Sequence, residues 1–130
     1  MANAGDIAVP DLDARAAARV FFDGGCPVCR REIGWYQKMR GGDAIEWVDV
    51  DASETVPAGL PSDITRDDLL KRFTIVRRDG AVVSGGPGFI ALWRGLGPTR
   101  FLGRLTDHRI GAFLGERAYR FFLRVRKLWR

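Results

Sequence analysis

At 130 residues with 46% hydrophobic side chains, four Trp and eight Phe among them, the chain can fill one packed domain and needs no disulfide staple. Its net charge of +5 is uneven: residues 1–93 hold eleven basic and fourteen acidic side chains, whereas 94–130 hold ten and two. No run approaches the roughly 18 apolar residues of a membrane span, and the opening residues, with Asp6, Asp11 and Asp13, lack the apolar core of a secretory signal, so a cytoplasmic protein, at most peripheral to a membrane, is expected.

Residues 1–17, rich in Ala and Asp with Pro10, read as a flexible lead-in with a short helical turn near Leu12–Ala18. Arg19–Phe22 is a short apolar run stopped by Asp23-Gly24-Gly25, the pattern of a buried parallel strand and a tight loop. Pro27 suits a first helical position and Gly41-Gly42 a stop, which predicts a helix over 27–40. Within it Cys26, Cys29, Ile33 and Tyr36 recur at i, i+3, i+7 and i+10, a spacing that puts Cys29 at the top of the buried stripe and Cys26 at the exposed rim. Gly34 costs this helix about 1 kcal/mol relative to Ala, so close packing against a strand is expected there.

Ile45–Val50 reads as a second strand, completing a right-handed βαβ crossover, and 51–62 as a loop with two prolines. Thr65 caps a short helix over 66–71, with Asp67 and Asp68 complementing its dipole. Phe73–Val76 and Ala81–Val83 flank Arg78-Asp79-Gly80, a strong signal for an antiparallel hairpin. Gly85-Gly86-Pro87-Gly88 then leads into a helix carrying Phe89, Ile90, Leu92 and Trp93. Residues 98–130 add two or three helices separated near Gly103, Thr106 and Gly115, so the chain divides into the lead-in 1–17, a core 18–97 and a basic helical extension 98–130 packed on that core.

Both cysteines of the chain lie in one four-residue stretch, too close to constrain a useful loop, and such a pair reads as catalytic or metal-binding. A helix start stabilises a thiolate through unpaired N–H groups and a positive dipole end, which marks Cys26 as nucleophile. Cys29, one turn on, is placed to resolve a mixed disulfide. Arg30 and Arg31 either add positive charge near the thiolate or are plain solvated residues. Zinc would need two more Cys or His ligands where only His108 exists, and a haem attachment would need His where Arg30 stands, so no metal site is expected.

The stretch Phe22-Asp23-Gly24-Gly25-Cys26-Pro27-Val28-Cys29-Arg30-Arg31-Glu32 resembles the signature of the DCC family of thiol-disulfide oxidoreductases, named for Asp-x-x-Cys-x-x-Cys. The resemblance runs from residue 19 to about 125 and takes in Trp47-Val48-Asp49, Asp79-Gly80, Ser84-Gly85-Gly86 and Leu92-Trp93-Arg94. It implies an α/β, thioredoxin-like fold with a central four-stranded mixed sheet (βαβ, short α, β-hairpin, α) and additional C-terminal helices. It implies thiol–disulfide exchange with a protein or small-molecule partner. Asp23 matches the family's acid and either relays the proton Cys29 must lose or merely closes an Asx-turn. Unlike thioredoxin, the chain has Lys71-Arg72-Phe73 where a cis-proline loop would face the cysteines. Like glutaredoxin it has Cys-Pro-x-Cys and a glycine pair, Gly85-Gly86, whose amides could take a carboxylate of glutathione or simply turn the chain. The substrate-binding candidates are therefore Gly25, Pro27, Arg30, Phe73, Gly85 and Gly86, with no bound cofactor and glutathione as a candidate co-substrate.

Residues 116–130 hold six cations and one anion, with Phe121, Phe122, Val125 and Leu128 on or near one helical face. Such a helix either packs on its own domain or contacts an anionic membrane or acidic protein surface; with no nucleic-acid fold signature, nucleic acid is not an expected partner.

Overall fold

The computed structural model describes residues 13–128. Strand β1 (Ala17–Phe22) leads through the Asp23–Gly25 loop into helix α1 (Pro27–Lys38), a 3-10 turn (Gly42–Ala44) and strand β2 (Glu46–Asp49). Helix α2 (Arg66–Lys71), strands β3 (Thr74–Arg77) and β4 (Val82–Ser84), and helices α3 (Gly86–Gly95), α4 (Arg100–Thr106) and α5 (Arg109–Arg126) follow. The four strands form one mixed sheet in the order β2-β1-β3-β4, with β1 parallel to β2 and antiparallel to β3. This is the α/β, thioredoxin-like architecture that the element order implies.

Local chemistry accounts for most boundaries. Thr65 and Asp68 form a reciprocal capping box at the start of α2. Gly80, at φ 91°, turns the β3–β4 hairpin in a conformation an L side chain resists. The strand β1 is central, and its alternating side chains fill both faces of the sheet. Val20 packs with Ile33 of α1, Leu92 of α3 and Tyr119 of α5, while Phe21 packs with Val50 and with Leu69 of α2.

Several expectations are corrected. The helical turn near Leu12–Ala18 is replaced by a turn at 14–15, and Ala17 already begins β1, because Arg78 and Asp79 donate backbone bonds to Ala16 and Ala14. Residues 13–17 thus belong to the core: Asp13 pairs with Arg94, and Arg15 with Asp107. The part of the lead-in over 1–12 lies outside the described residues. Of the three expected breaks the one near Thr106 is present, at Asp107-His108, whereas Gly103 and Gly115 do not separate helices. Gly103 is a packing glycine, since a Cβ there would stand 2.6 Å from the Arg94 backbone nitrogen. Gly34 has no such role, because a Cβ there would meet nothing within 4 Å. Gly34→Ala is therefore expected to raise stability in urea unfolding by about 1 kcal/mol, whereas Gly103→Ala lowers it by forcing α4 off α3.

Helix α5 is tied to the core by Glu116, whose carboxylate takes Arg72 at 2.9 Å and 3.0 Å, Arg120 at 3.0 Å and the Gly86 amide at 3.2 Å. Burial works against its charge, but these donors outweigh it and hold the carboxyl below its ordinary 4.5. A carboxyl with a lowered folded-state pKa contributes stability above the unfolded value, and that contribution is lost as pH falls through the folded one. Acid titration followed by circular dichroism should show a loss of stability below about pH 4.5 that Glu116→Gln makes shallower without abolishing, because Asp13, Asp79 and Asp107 are lowered as well, at a cost of about 1–2 kcal/mol near neutrality.

Candidate active site

The chain enters α1 through a loop held at three points. The Asp49 carboxylate on β2 accepts the Gly24 N–H at 3.0 Å, Asp23 accepts the Gly25 N–H at 2.9 Å, and Arg30 donates to the Gly24 carbonyl at 2.9 Å. Gly24 is required there: a Cβ would sit 2.0 Å from an Asp49 carboxylate oxygen. Asp23 is buried and does close the Asx-turn. The exposed Arg30 is engaged with backbone, Pro27 is the exposed first helical residue, and Arg31 is exposed.

At the end of this loop Cys26 is the N-cap of α1, and its sulfur accepts the Cys29 N–H at 3.3 Å. Both thiols are free. The expected exposures are reversed: Cys26 is 0% exposed and Cys29 is half-buried. The reason lies in the cap. Cys26 has extended dihedrals, φ −91° and ψ 116°, so its side chain does not follow the helical period from which the rim position was reckoned, and it folds inward over the first turn.

The Cys29 thiol is pushed up to about 12, first by burial and then by the hydrogen bond and charge of Cys26, against a downward pull from Arg126. Cys29 therefore keeps its proton at neutral pH.

Cys29 forms part of the wall of a cavity of about 280 Å³. The other walls are mainly aromatic and aliphatic, with Phe22, Ile33, Phe73, Phe89 and Trp93 from the core and Tyr119 and Phe122 from α5. Phe73 and Phe89 stack at 4.1 Å between centroids. Three charged side chains join them: Asp23, Glu32 and Arg126. Glu32 accepts from the Tyr36 hydroxyl at 3.0 Å, which accepts from the Trp93 indole at 3.3 Å. Burial raises the Glu32 carboxyl, outweighing the Tyr36 bond that lowers it.

Of the residues singled out from sequence, the fold brings Asp23, Cys29 and Phe73 together at the cavity. Gly85 and Gly86 lie elsewhere: the Gly85 N–H bonds the Phe73 carbonyl, and the Gly86 N–H, the site imagined for a glutathione carboxylate, holds Glu116. The Phe73 N–H, beside the position of a cis-proline loop, donates to the Tyr119 hydroxyl, and no peptide bond among the described residues is cis. Sequence reasoning missed Glu32 and Arg126. The first was legible as i+3 from Cys29 on the same helix face. The second reaches the site only through packing of α5, where it also donates to the Leu70 carbonyl at 3.1 Å.

Among the described residues no group of His, Cys, Asp and Glu could hold a metal ion. The electrostatics yield a directional test. Cys26→Ala removes two of the influences that raise Cys29 and should lower its pKa, whereas Arg126→Ala should raise it, both read from the pH dependence of iodoacetamide alkylation.

Comparison with known proteins adds the family. The model of the DCC1-like thiol-disulfide oxidoreductases matches residues 20–130. No curated protein and no solved structure matches the chain.

Proposed function

The chain belongs to the DCC1-like thiol-disulfide oxidoreductase family, and from that premise we propose that Cys26 and Cys29 form an exchanging dithiol in which Cys26 supplies the attacking thiolate. The observation that carries this reading is the Cys26 sulfur seated at the N-terminus of α1, accepting the Cys29 amide, beside a partner thiol that holds its proton. A helix-terminal sulfur with a donated amide is the one better able to bear charge.

The Cys26 thiolate attacks one sulfur of a substrate disulfide, forming a mixed disulfide and expelling the other half as a thiolate that takes a proton from water. Cys29 then loses its proton and attacks Cys26, closing the Cys26–Cys29 bond and releasing the second half as a thiol. The protein dithiol is oxidised by two electrons and the substrate disulfide is reduced to two thiols; the same steps reversed transfer a disulfide outward.

The proton of Cys29 goes to a carboxylate at the cavity. Glu32 is the better acceptor, because burial has raised its pKa toward that of a useful base, while an oxygen of Asp23 is committed to the Gly25 amide. Asp23 in this reading holds the loop that seats Cys26. The apolar cavity beside Cys29 receives the substrate. Because the Phe73 N–H is taken by Tyr119, the substrate enters as a small molecule or a single projecting side chain rather than as an added strand. Cys26 becomes reachable when the Asp23–Gly25 loop lifts from Asp49.

Trapping tests the order of attack. With bis(2-hydroxyethyl) disulfide, Cys29→Ser should accumulate a mixed disulfide on Cys26, identified by mass after digestion, and Cys26→Ser should capture at least about tenfold more slowly. Capture by Cys29 at an equal rate overturns the assignment. Glu32→Gln should slow release of the second thiol while leaving capture unchanged.

A further inference from the structure

Helix α5 has two apolar faces, and the core uses one. Glu116, Tyr119, Phe122 and Arg126 turn inward to the Arg72 pair, the Phe73 amide and the cavity. On the opposite side Ile110, Phe113, Leu114, Arg117, Phe121 and Arg124 fall within an arc of roughly 100° at helical spacing. The apolar members of that arc are 59–67% exposed, and Leu128 just beyond the helix is 83% exposed. Upstream, α4 leaves Phe101 and Leu105 exposed at 65% and 68%. Scattered exposed apolar residues need no explanation, but a continuous stripe along five turns does.

The charge around the stripe is one-sided. Arg100, Arg104, Arg109, Arg117, Arg120, Arg124 and Lys127 are all exposed. The two carboxylates of residues 98–128 are turned to internal use: Asp107 pairs with Arg15 and Arg94, and Glu116 with Arg72 and Arg120. Arg117 lies over the Phe113 ring at 5.7 Å, so cation and apolar surface are interleaved rather than segregated.

We propose that this face of α5, extended by α4, docks on an anionic phospholipid bilayer, with the helix lying in the plane of the interface. A bilayer surface matches both halves of the pattern at one depth: phosphates meet the arginines, and acyl chains receive Ile110, Phe113, Leu114 and Phe121. A second copy of the chain fits poorly, since its own cations would face these. Nucleic acid would satisfy the arginines and leave the apolar line in water. No helix among the described residues is long and apolar enough to cross a membrane, so the contact is a surface one. Since the inward face of α5 remains on the core, docking leaves the Cys29 cavity assembled.

Vesicle flotation with the full chain tests the proposal, using vesicles of phosphatidylcholine alone and of phosphatidylcholine mixed with phosphatidylglycerol. The protein should float with the mixed vesicles and bind the neutral ones at least about tenfold less. Phe113→Asp/Phe121→Asp and Arg117→Glu/Arg124→Glu should each reduce binding to the mixed vesicles at least about tenfold, with unchanged circular dichroism because all four side chains are exposed. No binding to either vesicle, equal binding to both, or retention of binding by the Phe pair of substitutions overturns it. Capture of an acidic protein or of nucleic acid in place of the mixed vesicles also overturns it.

Discussion

The carboxylate of Glu116 reaches from α5 to the Arg72 guanidinium ahead of β3 and to the Gly86 amide at the start of α3, and the arrangement of the site depends on that reach. The start of α3 would otherwise present an unpaired donor, and the Arg72 guanidinium beside it would lose its only carboxylate among the described residues, keeping the Ser84 hydroxyl and the Tyr119 ring. One acidic side chain answers both needs and fixes the rotation of α5 about its axis. Tyr119, one turn further, then meets the Phe73 N–H, and Arg126, two turns beyond Tyr119, meets Cys29 and the end of α2.

That docking converts an open sheet-and-helix face into a cavity. Without α5 the Phe73–Phe89 stack and Trp93 would face solvent; with it Tyr119 and Phe122 complete the wall, and Cys29 opens onto a largely apolar cavity. Low polarity there explains why burial is the leading cause that raises both Cys29 and Glu32, one favouring a retained proton on sulfur and the other a carboxyl closer to neutrality. Two groups one turn apart on the same helix are thereby both biased toward their protonated forms.

The same helix divides its labour by face. Its inward side carries the contacts that define the cavity, and its outward side keeps cations and apolar side chains free. Because these faces share no side chain, substitutions on the outer arc act on surface interactions without reaching the thiols. The glycines divide in a similar way: Gly24 and Gly103 permit close approach to Asp49 and to Arg94, while Gly34 has room for a side chain.

Local signals were enough for the sequence to establish the βαβ start, the Thr65 capping box, the Asp79-Gly80 hairpin and the placing of the dithiol at a helix start, since each rests on residues within a few positions of one another. The same signals resemble one family, and the match over 20–130 agrees. What tertiary structure alone decided is which sulfur meets the cavity and which charges meet the sulfur. Cys26 turned inward because a cap residue leaves the helical period. Gly86 received Glu116, and Cys29 received Arg126, because folding closed separations of 30 and 97 residues that no periodicity along the chain encodes. Contacts of that range are selected by how whole elements pack, and they become visible only once the helix carrying them has been laid against the sheet.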